Sequence, residues 1–467
     1  MRERLLPAAV PAVVAVGLGL AAMLWLTSSP AADLQPRVPG TDRRSARATV
    51  ERPVKLTGMV VHGVAQAADI AGSWPRFRGP NFDNICRDPT PLARSWGEGG
   101  PPVLWSRQLG EGYAGAVVHE GRAYVLDYDH EAKADTLRCL SLADGQEIWH
   151  FSYPVEVKRN HGMSRTLPAV TDKHVATLGP KCHVACLDPE TGQPRFPIVD
   201  LVREYGARVP PWYAGQCPLI DGERLILAPG GPDALLMAVD CNTGKVLWKT
   251  ANPDRWRMTH SSVMPMEFAG KRMFVYCASG GVVGVDARDG SLLWKTPEWR
   301  ISIANVPSPV PLGNGRIFLT GGYNAGSMIL QLEEKDGKIE ARPLLRLKAK
   351  VFDSPQHTPI LYQGHLYAVC ADGQLACATP DGKVVWKSGA AHRFGLGPYL
   401  VSDQGLLYVM NDTGTLTLAE ASPAGFKVLA QARVLDGRES WAPMTLVAGR
   451  LIVRDTERMV CLDVGKH

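Results

Sequence analysis

Short stretches in which apolar and polar residues alternate recur along most of the chain, and each is followed by a glycine turn. In the clearest copy, Ala238–Trp248, the stretch reaches Asp240, turns through Asn-Thr-Gly and continues to Trp248. Alternation with a period of two predicts a half-buried β-strand, and glycine supplies the positive φ of a tight hairpin turn. Altered copies of this hairpin are Cys139–Trp149, Cys186–Phe196, Gly284–Trp294 and Cys377–Trp386.

The spacing of these hairpins predicts the fold. Their aromatic ends mostly follow one another at roughly 40 to 50 residues, the length of a four-stranded β-propeller blade. A second pattern marks eight inner-strand regions, at 114–127, 166–178, 217–228, 262–278, 308–321, 358–371, 398–411 and 442–455. We therefore expect an all-β, eight-bladed β-propeller of four-stranded antiparallel blades. Seven blades is the alternative, because the units at 331–345 and 418–429 lack the terminal tryptophan.

The two ends of the repeat region complement each other. The last unit stops after 459–464 without an outer strand, whereas 102–108 is an isolated strand pattern before the first unit. Pairing the two would close the ring and leave no exposed edge. The chain then divides into a signal peptide or membrane anchor (1–32), a Pro/Ala/Arg-rich linker (33–72), an arm packed on the propeller (73–101) and the propeller itself (102–467).

The first residues predict export. Arg2 and Arg4 precede an apolar run from Leu5 to Leu26, followed by small residues that allow cleavage. An uncleaved anchor is the alternative, and either way the propeller is expected outside the cytoplasm, periplasmic or membrane-anchored. The formal net charge is +5, with the basic excess concentrated in 37–55. No basic stripe with interleaved aromatics lies on the repeats, so no nucleic-acid partner is expected. The protein is expected to be a monomer.

Cysteines are the remaining compositional signal. Most of the ten recur at equivalent positions of the repeat, where small buried apolar residues are typical. Export permits disulfides, and the sequence does not define their pairing. Cys182 and Cys186 have a spacing found in metal sites, but in a strand both lie on one face of the repeat. No metal site is therefore expected.

The phrase A-x-D-x-x-T-G-x-x-x-W in Ala238–Trp248 resembles the tryptophan-docking repeat of the pyrroloquinoline-quinone-like β-propellers. This superfamily includes quinoprotein alcohol dehydrogenases and the BamB-type subunit of the outer-membrane barrel-assembly machinery. The resemblance covers about residues 102–467, and Trp74–Asn81 is similar to the start of a bacterial exported group within it. The dehydrogenases imply a disulfide between adjacent cysteines, a catalytic Asp, and a Ca²⁺ held by carboxylate and amide groups. This chain has no Cys-Cys pair and no convincing calcium set.

A ligand site is expected at one mouth of the central channel, from residues that immediately precede the inner strands. These candidates are Arg165, Gln216, His260, Asn305, His357 and Trp441. They could bind an anionic or sugar-like ligand or present a general base. The favoured interpretation is that they hydrogen-bond to backbone carbonyls and ordered water. His161 and Tyr213 could lie on the same rim, and no residue is assigned a catalytic role.

The sequence thus favours an exported, non-catalytic propeller scaffold at the cell envelope, similar to the BamB-type subunit and expected to need no cofactor. Its partners would be envelope proteins, or a small ligand at the channel mouth. The alternative is a dehydrogenase of alcohols or sugars that depends on pyrroloquinoline quinone and Ca²⁺. A third possibility is a hydrolase or lyase that uses the mouth histidines, supported only by their placement.

Overall fold

The computed structural model describes residues 6–27, 56–159 and 161–467, and the chain divides into two units, 1–55 and 56–467. In the first unit, helix α1 spans Leu6–Thr27, within the predicted signal peptide or anchor. Residues 28–55, which include the basic segment and the start of the predicted linker, lie outside the described residues. Across the described part of the chain, no helix has the length and apolar character that crossing a membrane requires.

The second unit is a ring of eight antiparallel blades, which confirms the predicted propeller and shows that the seven-bladed alternative is wrong. Blade 1 contains Val117–His119, Arg122–Asp129, Ala134–Ser141 and Glu147–Pro154. Blade 2 contains Ala169–Val170, Val175–Leu178, His183–Leu187 and Val199–Asp200, followed by the short helix α2, Leu201–Tyr205. Blade 3 contains Leu219–Asp221, Arg224–Leu227, Met237–Asp240 and Val246–Lys249. Blade 4 contains Met264–Phe268, Lys271–Ala278, Gly281–Asp286 and Leu292–Thr296.

Blades 5 and 7 keep four strands although their sequences lack the terminal tryptophan. Blade 5 contains Val310–Gly313, Arg316–Gly321, Gly326–Lys335 and Lys338–Leu347. Blade 6 contains Ile360–Tyr362, His365–Val369, Leu375–Ala378 and Val384–Lys387. Blade 7 contains Tyr399–Ser402, Leu406–Met410, Thr415–Glu420 and Val428–Arg433. Blade 8 contains Thr445–Val447, Arg450–Arg454, Arg458–Asp463 and, as its outer strand, Val103–Gln108.

Val103–Gln108 closes the ring. It pairs antiparallel with Arg458–Asp463, with Trp105 opposite Cys461. The first and last parts of the propeller sequence therefore share one sheet, as expected from the two complementary ends. Because the last strand gains a partner, its hydrogen-bonding groups are not left at an open edge.

Aromatic side chains on the outer strands pack against the turn glycines of the following blade. A β-carbon at Gly192 of blade 2 would lie 2.8 Å from the ring of Trp149 in blade 1. The same contact joins Trp105 to Gly145 and Trp248 to Gly290. Only a residue without a side chain lets the ring approach this closely, so the glycine serves both the turn and the contact between blades.

The second half of the segment expected to be a linker has structure of its own. Residues 56–72 belong to the compact second unit, and Met59–His62 adds a fifth strand to the outer edge of blade 1. The backbone of this segment pairs with Glu147–Pro154, while its side chains remain largely exposed. A strand held mainly by backbone hydrogen bonds needs little apolar periodicity, which explains why the sequence pattern did not reveal it.

The arm over residues 73–101 crosses the ring from one side to the other. Trp74, which is buried, forms a bridge with Val118 of blade 1, and Pro75 accepts a hydrogen bond from Val170 of blade 2. Ile85–Cys86 pairs in parallel with the inner strand of blade 7. Between these contacts the arm passes the central channel, so it forms part of the walls of that channel.

Candidate functional site

A cavity of about 130 Å³ opens where the chain enters the inner strands. Its wall alternates aromatic with small or polar side chains contributed by most of the blades. This volume is below the about 300–1,000 Å³ of pockets that enclose drug-sized ligands, so the cavity suits a small ligand or one inserted side chain. The lining includes Phe77, Tyr113, Arg165, Trp212, His260, Ser262, Tyr323, Gln356, His357, Thr358 and Trp441.

Four of the six predicted site residues line this cavity, and two do not. Arg165, His260, His357 and Trp441 are in its wall. The side chains of Gln216 and Asn305 do not line it, because side chains alternate in direction along extended backbone.

At blade 3, Gly215 and Cys217 face the cavity, whereas Gln216 is buried behind them and its Oε1 accepts from the Ala228 amide at 3.1 Å. At blade 5, Ala304 and Val306 line the cavity, and the buried Asn305 lies between them in the wall of a neighbouring groove.

The floor of the cavity comes partly from the arm, which sequence reasoning did not associate with the site. Phe77 lines the cavity. The next residue, Arg78, is fully buried and donates to the carbonyls of Thr358 and Pro359 in blade 6, at 2.8 and 2.9 Å. Burial lowers the pKa of Arg78 to about 10. The Arg-Phe-Arg sequence at residues 76–78 could have indicated this role. Charged and apolar residues alternate in it, so Phe77 and Arg78 are expected to have different surroundings.

Arg165 ties together the loops at the rim. Its guanidinium donates to the carbonyls of Trp212 and His161, and also to Gly162 at 3.3 Å. The guanidinium also lies over the ring of Tyr113, 4.9 Å from the ring centre. Burial lowers the pKa of Arg165. These contacts direct the cation at backbone carbonyls and an aromatic face, which makes it a structural tie between blades.

His260 and His357 have matching environments. His260 Nε2 lies 2.9 Å from the carbonyl of Pro211, and His357 Nε2 lies 3.1 Å from the carbonyl of Leu396. Desolvation lowers the pKa of each imidazole to about 4, with Arg165 adding to the shift for His260 and Arg78 for His357. Both side chains are therefore neutral at neutral pH, and each uses Nε2–H to donate to a carbonyl.

Part of the cavity wall is an aromatic stack. The rings of Tyr113 and Trp441 lie 5.3 Å apart at an interplanar angle of 20°. Each is oriented by a carboxylate outside the cavity lining. Tyr113 donates to Glu439, and Trp441 Nε1 donates to Asp412 Oδ1 at 2.6 Å. Burial and the Glu439 contact raise the pKa of Tyr113 well above its usual range. A rigid aromatic face with fixed edges is suited to stacking on a flat or apolar ligand surface.

The loops at the rim contain several strained residues. Six non-glycine residues there have positive φ, between 54° and 72°: His161, Trp212, Tyr213, Tyr323, Asn324 and Glu439. Bulky residues in this region of φ/ψ space are uncommon and cost energy, and they concentrate at functional sites. The predicted rim residue Tyr213 is buried and donates through its hydroxyl to the Lys158 carbonyl. His161 is exposed, and its contact with Arg165 uses the backbone.

The cavity does not fit a quinone held by calcium. Among its lining residues as the structure describes them, none is Asp or Glu. Ca²⁺ takes six to eight oxygen ligands, mostly carboxylate and carbonyl groups, and the imidazole and indole groups here do not supply them. Across the described residues, the side chains of His119, Glu120 and Asp172 come close enough to share an ion, but they are not in the cavity lining. His119 is already bonded to Ser73 and Asp172.

All ten cysteines are buried free thiols. Cys182 and Cys186 both lie in the apolar core between blades 2 and 3. Burial raises the pKa of the Cys182 thiol to about 12, so it remains protonated.

The fold and cavity define the class of the protein as an eight-bladed β-propeller with a narrow channel site. A sequence profile of the family described as "Outer membrane protein assembly factor BamB" matches residues 98–196 and 133–380. These residues are more than half of the chain, and the chain belongs to this family.

The chain is similar to proteins with different functions. The quinoprotein alcohol dehydrogenase PedH of Pseudomonas putida is 27% identical over 174 residues, which are 35% of this chain and 27% of that protein. The match thus spans about a quarter of this relative. BamB from Moraxella catarrhalis has a similar structure, with a TM-score of 0.53 and 12% identity, over 78% of this chain and 99% of that one. The structure of the computationally designed Ika8 protein is also similar, with a TM-score of 0.52 and 11% identity. This match covers 78% of this chain and 100% of that one. These two structural likenesses show the fold alone.

Proposed function

We propose that this protein is an exported scaffold of the cell envelope that binds a partner protein, or a small ligand, at the channel mouth without catalysing a reaction. Membership of the assembly-factor family supports a binding role. The predicted targeting segment at residues 1–32 supports export. In this proposal the Tyr113–Trp441 stack is the contact surface, and the rim residues hold its geometry.

The observation that carries the proposal is the state of the polar groups in the cavity. A general base needs a pKa near the working pH and a nitrogen that faces the substrate. His260 and His357 have pKa values lowered to about 4, and the Nε2 of each is directed at a backbone carbonyl. These residues are suited to holding the loops in place, as Arg165 is.

The second candidate function is a dehydrogenase dependent on pyrroloquinoline quinone, favoured by the similarity to the quinoprotein alcohol dehydrogenase PedH. The donor set of the cavity argues against it, because none of the described residues that line the cavity offers a carboxylate to hold the calcium ion. The dehydrogenase is therefore the alternative function against which the scaffold is tested.

The scaffold is tested by crosslinking in the envelope of the source bacterium, comparing the wild-type chain with Trp441→Ser and Trp96→Ser. Trp441 is in the cavity wall, whereas Trp96 is a half-buried tryptophan outside the cavity lining. We expect a crosslinked complex with the wild type and Trp96→Ser, and a loss of most of it with Trp441→Ser. Equal yields from all three chains would contradict the proposed site.

The alternative function is tested with purified protein, pyrroloquinoline quinone and Ca²⁺, by reduction of a dye with simple alcohols and sugars as substrates. PedH assayed in parallel shows that the reagents work. We expect no turnover above the rate without protein. Saturable turnover that depends on both the quinone and calcium would contradict the scaffold proposal and support the dehydrogenase.

A further inference from the structure

A second depression lies beside the cavity on the same face of the propeller. It has a volume of about 630 Å³ and shares His260, Ala304 and Tyr323 with the cavity lining. We call it the arginine groove, and its other main residues are Pro211, Arg257, Arg300, Ile303 and Asn305.

The groove is cationic. Arg257 and Arg300 are exposed, and no Asp or Glu is among the residues that line it in the described chain. Arg300 Nε donates to the Gly280 carbonyl at 2.8 Å, which fixes the position of its guanidinium. Two carboxylates on neighbouring segments are already in ion pairs, Asp254 with Lys295 and Glu298 with Arg346, each at 2.5 Å. The groove therefore keeps an excess of positive charge that suits an anionic partner.

The groove also presents apolar side chains that are held in place. Ile303 and Tyr323 are 51% and 50% exposed. The loop that carries Ile303 is anchored by the buried Trp299 and by Ile301, which packs on Gly321. Two exposed apolar side chains on one anchored surface, beside two arginines, have the mixed character of a protein-binding patch.

We propose that the arginine groove binds an extended, acidic and apolar peptide segment of a partner protein. Carboxylates would pair with Arg257 and Arg300, and apolar side chains would pack on Ile303 and Tyr323. This inference rests on the proposed scaffold function and names the kind of partner segment and its place next to the cavity.

The test measures fluorescence anisotropy of a labelled short peptide in which Asp and Leu alternate, titrated with the full chain. The reference peptide replaces each Asp by Asn. We expect saturable binding of the acidic peptide that weakens with added salt, and about tenfold weaker binding of the Asn peptide. Arg257→Gln combined with Arg300→Gln should weaken binding of the acidic peptide by a similar factor. Ile303→Ser should weaken binding of both peptides.

The matched control is Lys335→Gln combined with Lys338→Gln, which removes the same charge from an exposed hairpin of blade 5. It should bind the acidic peptide like the wild type, and all variants should keep the wild-type circular dichroism spectrum. Equal loss in both double variants would overturn the proposal in favour of a general charge effect. The proposal would also be overturned, in favour of a lipid surface, by a different set of results. In these the wild type binds anionic phospholipid vesicles but no peptide, and the groove variant does not bind the vesicles.

Failure of the groove and failure of the scaffold give different results. If no peptide binds but the groove variant still forms the crosslinked envelope complex, the groove proposal fails and the scaffold proposal stands. If the wild type forms no complex either, the scaffold proposal fails as well.

Discussion

Asp135 is a carboxylic acid buried at the contact of blades 1 and 2. Its Oδ2 accepts from the Tyr153 hydroxyl at 2.6 Å, and Gly179 of blade 2 lies against this pair. Its Oδ1 has no partner in the described residues, and Asp127 contributes a repulsive charge. Burial, the larger cause, raises the pKa of Asp135 to about 7. The folded protein therefore favours the protonated acid.

Asp135→Asn should remove a pH dependence of stability. Between pH 4 and 7 the unfolded chain loses the Asp135 proton while the folded chain retains it, so the wild type loses stability as the pH rises. Above pH 7 the loss is complete. We expect the melting temperature of the variant, relative to wild type, to rise by about 2–5 °C between pH 5 and pH 8. A constant difference between Asp135→Asn and the wild type would show that Asp135 is ionised in the fold.

The two mouth histidines should act in the opposite direction. Their pKa values are lowered to about 4 from an ordinary value of 6.5, so folding excludes a proton that the unfolded chain binds. Their contribution to stability is complete above pH 6.5 and is lost as the pH falls towards 4. His260→Gln and His357→Gln keep a donor for the carbonyl and do not titrate. Each should therefore lose less stability than the wild type when the pH changes from 7 to 4.5.

Melting temperatures of each variant and of the wild type over this range check the histidine prediction. If the mouth variants follow the wild-type curve, these imidazoles are not shielded from protons in the folded state.

At the scale of the strand and turn, the contact between an aromatic ring and a glycine is the repeated unit that joins blades. Gly290 and Gly270 both belong to blade 4 and have φ of 75° and 68°. A β-carbon at Gly290 would lie 2.3 Å from the Trp248 ring, whereas at Gly270 no atom lies within 4 Å. Gly270→Ala should cost about 1–2 kcal/mol from backbone strain alone. Gly290→Ala should cost about 1–3 kcal/mol more, because the ring must move.

Urea unfolding of the two alanine variants measures this difference directly. Equal losses would show that the aromatic ring adjusts without cost and that the glycine serves only the turn. A third variant, Gly290→Ala with Trp248→Leu, gives the matched check, since a smaller side chain should remove most of the additional cost of the alanine.

These elements also show what the sequence could predict. Hairpins such as Ala238–Trp248 carry their own signals, namely alternation, a turn glycine and a terminal aromatic, so the blades and the closing strand were predictable. The strand Met59–His62 and the crossing of Phe77 and Arg78 at the channel depend on contacts with distant residues. At the cavity, Gln216 and Asn305 lie in the loops that line it, but their neighbours and not they form the lining. A one-residue change of phase decides which side chain faces the cavity.

At the scale of the whole molecule, closure joins eight blades into one ring in which every blade has two neighbours. The closing strand is fixed by Trp105, whose Nε1 donates to the Leu142 carbonyl at 3.0 Å and whose ring packs on Gly145 of blade 1. The junction of blades 8 and 1 therefore depends on a segment that directly precedes blade 1 in the chain and is far in sequence from the other strands of blade 8. Opening of this junction is the expected first step when the ring loosens.

The ten buried thiols make that opening measurable. Cys461 lies opposite Trp105 in blade 8, and Cys139 is in blade 1; burial raises the pKa of each thiol to about 12. In the native wild type we expect no thiol to react with an aromatic disulfide reagent until the ring opens, since the thiolate is the reactive form.

Trp105→Ala should make Cys461 and Cys139 react first, while Cys277 in blade 4 stays protected. Mass spectrometry of partly labelled protein identifies the sites, with Trp294→Ala in blade 4 as the control for loss of a buried tryptophan. Equal labelling of all ten thiols in Trp105→Ala would mean that the ring opens as one cooperative unit and that the closing strand is not its weakest joint.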